Sequence, residues 1–429
     1  MSEFLHDVSL AAKSLRELFV ETPLQLNHFL SKKYGAEIYL KREDLTPVRS
    51  YKIRGAFNFV SKMLHERPQD SVFVCASAGN HAQGLAFVCN YFKCKGVIFM
   101  PVTTPQQKID KTRIFGGDAI EIKLIGDTFD ECYAAAQTYV AEVGGVMAPP
   151  FDHYEIVKGQ ATVMHEIAEQ WQKLLNDDQT GMDKNTVPDM VIVPVGGGGL
   201  ASGTKLFLQE KGWQTQLRFS EPENAASLRA CLEQKKRLKL DDIDNFVDGA
   251  AVAEIGAINY DILKSFSPFD VSVIPENRLC ATMIEMLNVE GIVLEPAGGL
   301  AIDALKSLSP QDIKGKKIVL IVSGGNFDFE RLPDVKERAL RYEGLKKYFI
   351  FRFPQRPGAL RRFLDQLGPD DDVARFEYLK KSARNFGSVL IAIETKNYEN
   401  FAVLAKKFDD SGWAYRDITN DKVLADFVI

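Results

Sequence analysis

The sequence contains no apolar run of about 18 residues or more, which excludes an ordinary membrane-spanning helix. The residues from Met1 to Leu18 carry charges among the apolar side chains and so lack the apolar core of a signal peptide. No block of basic residues occurs, and the formal net charge of −5 argues against a nucleic-acid-binding surface. We therefore expect a cytoplasmic protein that binds neither membranes nor nucleic acid.

Cysteine is scarce, with six residues in a chain of 429. None of the six forms a C-x-x-C pair, and their spacing matches neither a zinc site nor a disulfide framework. They are predicted to be reduced thiols in a reducing compartment. The apolar fraction of 45% is sufficient for ordinary cores, and the length suggests two or three domains.

Short apolar runs alternate with amphipathic helical patterns from about Val72 to Pro333. The runs that predict buried strands are Ser71–Ala76, Gly96–Met100, Ala119–Ile125, Met190–Val195, Gln216–Ser220 and Lys317–Val322. Helical patterns such as Phe129–Val143 and Val157–Leu175 lie between them. Strands that alternate with helices predict right-handed crossovers and mostly parallel sheets, and therefore an α/β fold.

The pattern changes after Ser323. Asp334–Leu345 is charged and helical in pattern, which indicates a connector, and phenylalanine then recurs at every second position of Lys347–Phe353. The elements predicted after that strand are a helix at Gly358–Leu367, strands at Val373–Leu379 and Ser388–Glu394, a helix at Tyr398–Asp410 and a strand at Trp413–Asp417. The order βαββαβ predicts a ferredoxin-like α+β domain. We expect two domains, 1–334 and 335–429.

Four consecutive glycines, Gly196 to Gly199, follow an apolar strand pattern and precede a helix pattern. Glycine lets the backbone approach an anion closely, and the first N–H groups of a helix attract negative charge. The run therefore predicts a phosphate-binding loop. Gly196, Gly198 and Ala201 also match a dinucleotide fingerprint, and Glu221 ends a strand about 20 residues further on. On these residues alone, an NAD-dependent dehydrogenase is a competing hypothesis.

Lys52 is a candidate nucleophile. It lies between an aromatic and an aliphatic residue, Tyr51 and Ile53, and other cations are close in sequence. A lysine that forms an imine with an aldehyde needs its amine pKa lowered by burial or by cationic neighbours. The alternative is a surface lysine in a charged segment.

Two turns complete the candidate site. Ser77 to Asn80 lies between a strand and a helix pattern, where Ser77 or Asn80 can cap the helix and its first N–H groups can bind a carboxylate. Ser323 follows another strand. Since ligands in an open parallel sheet bind outside the carboxyl ends of the strands, we expect Ser323 and Gly196 to share one crevice.

Six motifs resemble, in order, those of the fold-type II pyridoxal-phosphate enzymes, and among them the biosynthetic, isoleucine-sensitive threonine dehydratases. The motifs are Glu21–Leu24, Lys41–Leu45, Ser50–Ala56, Ser77–Gly84, Gly196–Leu200 and Ser323–Asn326. The segment Phe353–Leu360 resembles the ACT-like regulatory domain of that family, present once, as in its short form. The resemblance implies a tryptophan synthase β-like fold with two open, mostly parallel sheets, a small subdomain at about 55–155, and an ACT-like domain.

The resemblance also implies a role for each matching residue. Lys52 would hold pyridoxal 5'-phosphate covalently and take the substrate Cα proton, and Asn80 would bond the cofactor's ring hydroxyl. The phosphate would be held by Gly196, Gly197, Gly198, Gly199 and Leu200. The substrate carboxylate would be received by Ser77, Ala78, Gly79 and Asn80. Ser323 would face the pyridine nitrogen, where a neutral hydroxyl leaves that nitrogen unprotonated and favours prompt β-elimination over transamination.

The reaction implied is dehydration and deamination of L-threonine to 2-oxobutanoate and ammonia, the first step of isoleucine biosynthesis, with isoleucine as an allosteric inhibitor. Allosteric control commonly resides at subunit interfaces, so we expect a homo-oligomer, either a dimer or a tetramer. A serine dehydratase or serine racemase is the alternative within the family. Outside it, the alternatives are the dehydrogenase and a non-catalytic amino-acid sensor.

Two positions weigh against a racemase. A racemase needs an acid–base on the cofactor face opposite the lysine, and Ala78 has no proton to give where racemase relatives carry serine. Racemase relatives also bind a divalent ion through two acids that follow the glycine run. Here Glu221 is present but Ser227 occupies the position of the second acid, so no metal is expected. Glu295 and Gly249 line the same pocket in relatives.

Overall fold

The computed structural model describes residues 2–66, 71–176, 186–379, 385–421 and 424. The chain divides into two compact units, Met1–Phe329 and Glu330–Ile429. The boundary expected near residue 335 lies inside the helix Leu332–Tyr342, which belongs to the second unit. All six cysteines are buried and free. Among the described helices, none is both long enough and apolar enough to cross a membrane.

The described residues form the following elements. The strands are β1 Leu24–Leu26, β2 Glu37–Arg42, β3 Val72–Ala76, β4 Lys95–Met100, β5 Ile120–Leu124, β6 Val146–Met147, β7 Met190–Pro194, β8 Gln216–Pro222, β9 Val271–Ile274, β10 Lys317–Val322, β11 Lys346–Pro354, β12 Asp371–Leu379, β13 Phe386–Thr395 and β14 Ala414–Asp417. The helices are α1 Glu3–Leu15, α2 His28–Tyr34, α3 Lys52–Glu66, α4 Asn80–Phe92, α5 Gln106–Gly116, α6 Phe129–Val143, α7 Tyr154–Asn176, α8 Gly199–Lys211, α9 Ser227–Gln234, α10 Ala257–Leu263, α11 Glu276–Glu290, α12 Pro296–Asp303, α13 Pro310–Ile313, α14 Leu332–Tyr342, α15 Ala359–Leu364 and α16 Asn400–Asp410. Strands and helices alternate along the first unit, which confirms the α/β fold.

The larger sheet of the first unit has the strand order β1-β2-β10-β7-β8-β9. All its neighbours pair in parallel except β1 and β2, which pair antiparallel. Strand β7 is buried along its whole length, as expected for a parallel sheet covered on both faces. The sequence patterns missed β2, because charged residues such as Lys41 interrupt its apolar run.

The smaller sheet has the order β5-β4-β3-β6 and is parallel throughout. Strand β3 leads directly into the turn before α4. Helix α4 packs closely against α3, because a Cβ on Gly84 would lie only 3.3 Å from the backbone of Lys52. Two open, mostly parallel sheets are thus confirmed. Their arrangement brings the end of β3 next to the start of α3.

The second unit is a four-stranded antiparallel sheet with the order β12-β13-β11-β14. The phenylalanines at alternate positions of β11 lie in one buried cluster with side chains of α15 and α16. Helix α14 approaches the same strand, where the Tyr348 hydroxyl donates to Glu337 Oε1 at 2.9 Å. The ferredoxin-like fold predicted from the order βαββαβ is confirmed.

Candidate active site

Lys52 is the first residue of α3 and lies at the carboxyl end of β10. Two backbone contacts place it there: Ser50 forms a bridge with Gly324, and the Tyr51 N–H donates to the Ser323 carbonyl at 3.1 Å. The Lys52 ammonium donates to the Pro150 carbonyl at 3.1 Å. The lysine and the Ser323 turn are therefore parts of one site, at the sheet edge where ligands of parallel sheets bind.

The surroundings of the Lys52 amine favour its neutral form. Partial burial lowers its pKa from 10.5 to about 8, although the nearby Glu295 carboxylate acts in the opposite direction. The amine lies 5.5 Å from the ring centre of Tyr51 and 5.9 Å from that of Phe151. Since the free amine is the nucleophile that condenses with an aldehyde, this environment suits a lysine that holds a carbonyl cofactor.

The glycine run forms a tight loop between β7 and α8. Gly198 adopts a left-handed conformation with φ 91°. It occupies the N-cap position of α8, so no side chain caps this helix. The first N–H groups of α8 are thus free of a side-chain acceptor and can bind an anion. A Cβ on Gly197 would lie 2.1 Å from the Phe151 ring, so only glycine lets this ring pack against the loop. The loop fits a phosphate.

Gly197→Ala is expected to weaken cofactor binding by roughly tenfold or more, about 1.4 kcal/mol. The added methyl group must displace the Phe151 ring, whose centre lies 5.9 Å from the Lys52 amine. Titration of the apoenzyme with pyridoxal phosphate measures the effect. Gly197→Ala combined with Phe151→Ala is the matched control, because removal of the ring makes room for the methyl group. Equal losses in the single and double variants would contradict this steric explanation.

The turn before α4 differs from the expected cap. Gly79, not Ser77 or Asn80, precedes the helix and no side chain caps it; the Ser77 hydroxyl instead accepts the Gly79 N–H at 3.3 Å. The first N–H groups of α4 are therefore not occupied by a capping side chain. Residues 77–80 are all partly exposed, and a Cβ on Gly79 would meet no atom within 4 Å. Open space lies above this helix start, which suits a carboxylate ligand.

Asn80 connects the α4 turn to the end of the larger sheet. Its Nδ2 donates to Glu295 Oε1 at 2.7 Å, and Asn326 Nδ2 donates to its Oδ1 at 2.8 Å. The Ser323 hydroxyl donates to the Ala297 carbonyl at 3.2 Å, two residues after Glu295. These contacts bring Lys52, Asn80, Ser323 and, through Phe151, the glycine loop into one pocket.

Sequence reasoning missed two contributors to the pocket. Phe151 packs against the glycine loop with its ring centre 5.9 Å from the Lys52 amine, and the Pro150 carbonyl accepts the hydrogen bond from that amine. Neither residue follows a strand or helix pattern, and their role depends on a loop that crosses between the two sheets. The consecutive prolines 149 and 150 were the one local signal of a rigid turn there.

Glu221 has a structural role that differs from ribose binding. It is fully buried and accepts the N–H groups of Leu228 and Arg229, at 2.8 and 2.9 Å. Burial raises its pKa to about 8, against the lowering effect of these bonds. Both carboxylate oxygens hold the start of α9, so neither is directed at a nucleotide. Glu221 is therefore not available as the acidic residue that would bind a ribose, and a dinucleotide site at the glycine run is disfavoured.

Lys52, whose amine pKa is lowered, the glycine loop and the uncapped start of α4 lie at the carboxyl ends of parallel strands. Such a site can bind a small anionic ligand beside a lysine amine. The family model of pyridoxal-phosphate dependent enzymes matches residues 15–324, and the chain belongs to that family.

The comparisons with individual proteins are more specific. A model described as the C-terminal regulatory domain of threonine dehydratase matches residues 337–428. L-threonine dehydratase biosynthetic IlvA of Halalkalibacterium halodurans is 42% identical over 426 residues, 99% of each chain. The protein of that name from Staphylococcus saprophyticus is 42% identical over 425 residues, 99% of this chain and 98% of the relative.

A solved structure agrees with these relatives. The processed form of threonine deaminase isoform 2 from Solanum lycopersicum is 34% identical, covers 79% of this chain and 94% of its own, and has a TM-score of 0.69. Within the pyridoxal-phosphate-dependent enzymes, the chain is a member of the biosynthetic threonine dehydratases, which are carbon–nitrogen lyases. The resemblance found in the motifs is confirmed.

Proposed function

We propose that this chain dehydrates and deaminates L-threonine to 2-oxobutanoate and ammonia, and that isoleucine bound to the second unit lowers this activity. The observation that carries the proposal is the position of the Lys52 amine, 5.9 Å from the centre of the Phe151 ring that packs against the glycine loop. Burial lowers the pKa of this amine to about 8. The names of the relatives support threonine as the substrate. The match of the second unit to a regulatory domain supports the inhibitor.

The cofactor would be held at three places. The loop Gly196–Leu200 would bind its phosphate through backbone N–H groups. Asn80 would bond its ring hydroxyl, and Ser323 would face its ring nitrogen. Bound there, pyridoxal phosphate supplies an electron sink for the negative charge that develops at the substrate Cα. A hydroxyl at Ser323 gives that nitrogen no carboxylate to keep it protonated.

Lys52 would act as the base that takes the Cα proton. Its amine is half-buried and oriented by the Pro150 carbonyl, and its lowered pKa leaves a substantial neutral fraction near neutral pH. A base whose pKa lies near the working pH transfers protons efficiently. When not bound to the cofactor, the same nitrogen would be free to serve as this base.

The start of α4 would hold the substrate carboxylate. Residues 77–80 are partly exposed, and the helix start lacks a side-chain cap, so its N–H groups can receive a carboxylate. Ala78 in this turn has no acid–base group, which favours elimination over racemisation. A serine dehydratase differs by one substrate methyl group, which is worth roughly 1–3 kcal/mol of discrimination.

We further propose that the protein is a homo-oligomer, a dimer or a tetramer, in the cytoplasm. Six free, buried thiols suit a reducing compartment. Inhibition by isoleucine requires two sites linked by a coupling free energy, commonly about 1–3 kcal/mol. An amino-acid sensor that has lost catalysis is the alternative outside the enzymes, and the environment of Lys52 and the match to threonine dehydratases weigh against it.

Keto-acid release from L-threonine and L-serine, with and without isoleucine, tests the proposal. We expect kcat/KM to be roughly tenfold or more higher for threonine, and isoleucine to raise the threonine concentration needed for half-maximal rate. L-alanine is the control, because it lacks the β-hydroxyl leaving group. Preference for serine would contradict the substrate assignment. Unchanged kinetics and no detectable isoleucine binding by the full chain would contradict the regulatory assignment.

A further inference from the structure

Glu295 accepts a hydrogen bond from the Asn80 carboxamide at 2.7 Å. We propose that Glu295 is a positioning residue which, together with Asn326, holds the Asn80 carboxamide in the one orientation that presents an N–H to the cofactor's ring oxygen. The proposal rests on the cofactor-binding role proposed above for Asn80 and extends it to residues that would not themselves touch the cofactor.

Both ends of the Asn80 carboxamide have a partner of the opposite kind. Nδ2 donates to Glu295 Oε1 at 2.7 Å, and Oδ1 accepts from Asn326 Nδ2 at 2.8 Å. An ionised carboxylate can only accept hydrogen bonds, and this N–H···O⁻ bond is of the stronger, charge-assisted kind. After these two bonds, Nδ2 keeps one hydrogen for a third partner.

An asparagine amide can turn over with almost no change in shape, so its orientation depends on its neighbours. Turned over here, Asn80 would place its oxygen against the Glu295 carboxylate and its NH₂ against the NH₂ of Asn326. Two hydrogen bonds would become two repulsive contacts. The pair therefore keeps the Asn80 donor available, and a ring oxygen that carries negative charge requires a donor.

The fold makes room for this carboxylate. A Cβ on Gly324 would lie 2.1 Å from Glu295 Oε1, and a Cβ on Gly249 would lie 3.4 Å from it. Glu295 is 4% exposed, and a buried carboxylate is costly unless hydrogen bonds satisfy it. Glycine at position 324, in the turn after β10, thus leaves room for the carboxylate, and its backbone also forms the bridge to Ser50. The space beside Gly324 is an observation independent of the Asn80 hydrogen bond, and it shows that the fold accommodates the Glu295 carboxylate at this position.

The charge of Glu295 depends on its surroundings. Burial and the Asp248 carboxylate raise its pKa to about 7, whereas the bond from Asn80 and the Lys108 ammonium act in the opposite direction. Lys108 itself is bonded to Asp248. Experiments are therefore best carried out well above this pKa, where the carboxylate is ionised in the wild type.

The test measures the dissociation constant for pyridoxal phosphate in apoenzyme variants by titration of the visible absorbance. Glu295→Ala is expected to weaken binding roughly tenfold, and Glu295→Gln to stay within about threefold of wild type, since its amide oxygen can still accept from Asn80. In the Asn80→Ala background, Glu295→Ala should add less than about twofold, because the residue through which it acts is gone. Threonine turnover is not the readout, so the result is independent of the substrate assignment.

Two outcomes would overturn the proposal. The first is equal weakening by Glu295→Ala with and without Asn80, which would mean that the carboxylate acts on the cofactor by another route. The second is an unchanged dissociation constant in Glu295→Ala. The melting temperature of each apoenzyme separates either outcome from a loss of folding.

The double variant Asn80→Asp with Glu295→Gln provides a second test if Glu295→Ala does not fold. In this variant the side-chain amide at position 295 can donate to the carboxylate at position 80, so a hydrogen bond still joins the two positions. The side chain at position 80 can then only accept hydrogen bonds and offers no N–H to the cofactor. We expect a near-wild-type melting temperature with cofactor binding weakened at least tenfold. Recovery of wild-type cofactor binding in this variant would show that only the local bond matters and would refute the orientation argument.

Discussion

Replacement of Lys52 by alanine should remove the absorbance band of the covalently bound cofactor and lower threonine deamination by roughly 10²–10⁴-fold or more. Alanine has no amine to bind the cofactor covalently and none to take the Cα proton. Loss of both functions from one residue makes this the largest kinetic effect that we expect. Spectroscopy of the reconstituted protein and keto-acid assays measure the two consequences separately.

Lys62→Ala is the matched control, because Lys62 belongs to the same helix, α3, and its side chain is about half exposed. It should leave colour and activity unchanged. Borohydride reduction of the wild-type holoenzyme, followed by peptide mapping, should label the peptide that contains residue 52. A label on another lysine, or an absorbance spectrum that is unchanged in Lys52→Ala, would refute the assignment.

Replacement of Glu166 by alanine should lower the free energy of unfolding of the first unit by about 3–5 kcal/mol. Glu166 is 1% exposed and accepts bonds from Arg54 at 2.8 and 2.9 Å and from Lys41 at 2.7 Å. Arg54 also binds Glu43 in a two-point contact, at 2.7 and 2.8 Å. Without Glu166, two buried cations would share the charge of one carboxylate, and burial of unpaired charge is costly.

The position of this network adds a functional consequence. Arg54 lies two residues after Lys52 in α3, so the network anchors the start of the helix that carries the reactive amine. Urea-induced unfolding measures the stability change. Glu66→Ala is the control, since Glu66 pairs with Lys62 at 3.7 Å on the surface and should contribute less than about 1 kcal/mol. Similar decreases in the free energy of unfolding for Glu166→Ala and Glu66→Ala would contradict the claim that a buried ion pair contributes more than an exposed one.

The contribution of Glu166 should also depend on pH with a defined sign. Burial by itself would raise its pKa, but the charges of Arg54 and Lys41 outweigh burial and hold the pKa well below its usual range. A carboxylate with a depressed folded-state pKa stabilises the protein fully above its unfolded value of about 4.3. This stabilisation is lost as the pH falls below that value. The difference between wild type and Glu166→Ala should therefore shrink in acid.

Sequence patterns were sufficient to predict secondary structure where one property, such as apolarity, dominates a segment. The apolar runs at β3, β4, β7 and β10 identify buried parallel strands, because such strands are covered on both faces. The alternating phenylalanines of β11 identify one buried face, because side chains of a strand alternate between faces. The glycine run predicts a phosphate loop because strand, glycines and helix follow one another directly, and the structure has that order at β7 and α8.

Patterns failed where a residue's environment is set by distant parts of the chain. Strand β2 was missed because Lys41 looks like a surface residue, whereas the fold buries it beside Glu166. The helix cap expected from Ser77 or Asn80 was wrong because Asn80 is engaged by Glu295, 215 residues further along the chain. Glu221 resembled a ribose ligand until its two bonds to α9 were known.

The sequence by itself determined the fold class, the order of the two units and the family, because each depends on local composition or on motifs in order. Only the tertiary structure decided how the site is oriented: the Pro150 carbonyl on the Lys52 amine, the Phe151 ring against the glycine loop, and the partners of the Asn80 carboxamide. The physical reason is that hydrogen-bond direction and burial arise from contacts between segments far apart in the chain. Such contacts leave no periodic signal in the sequence.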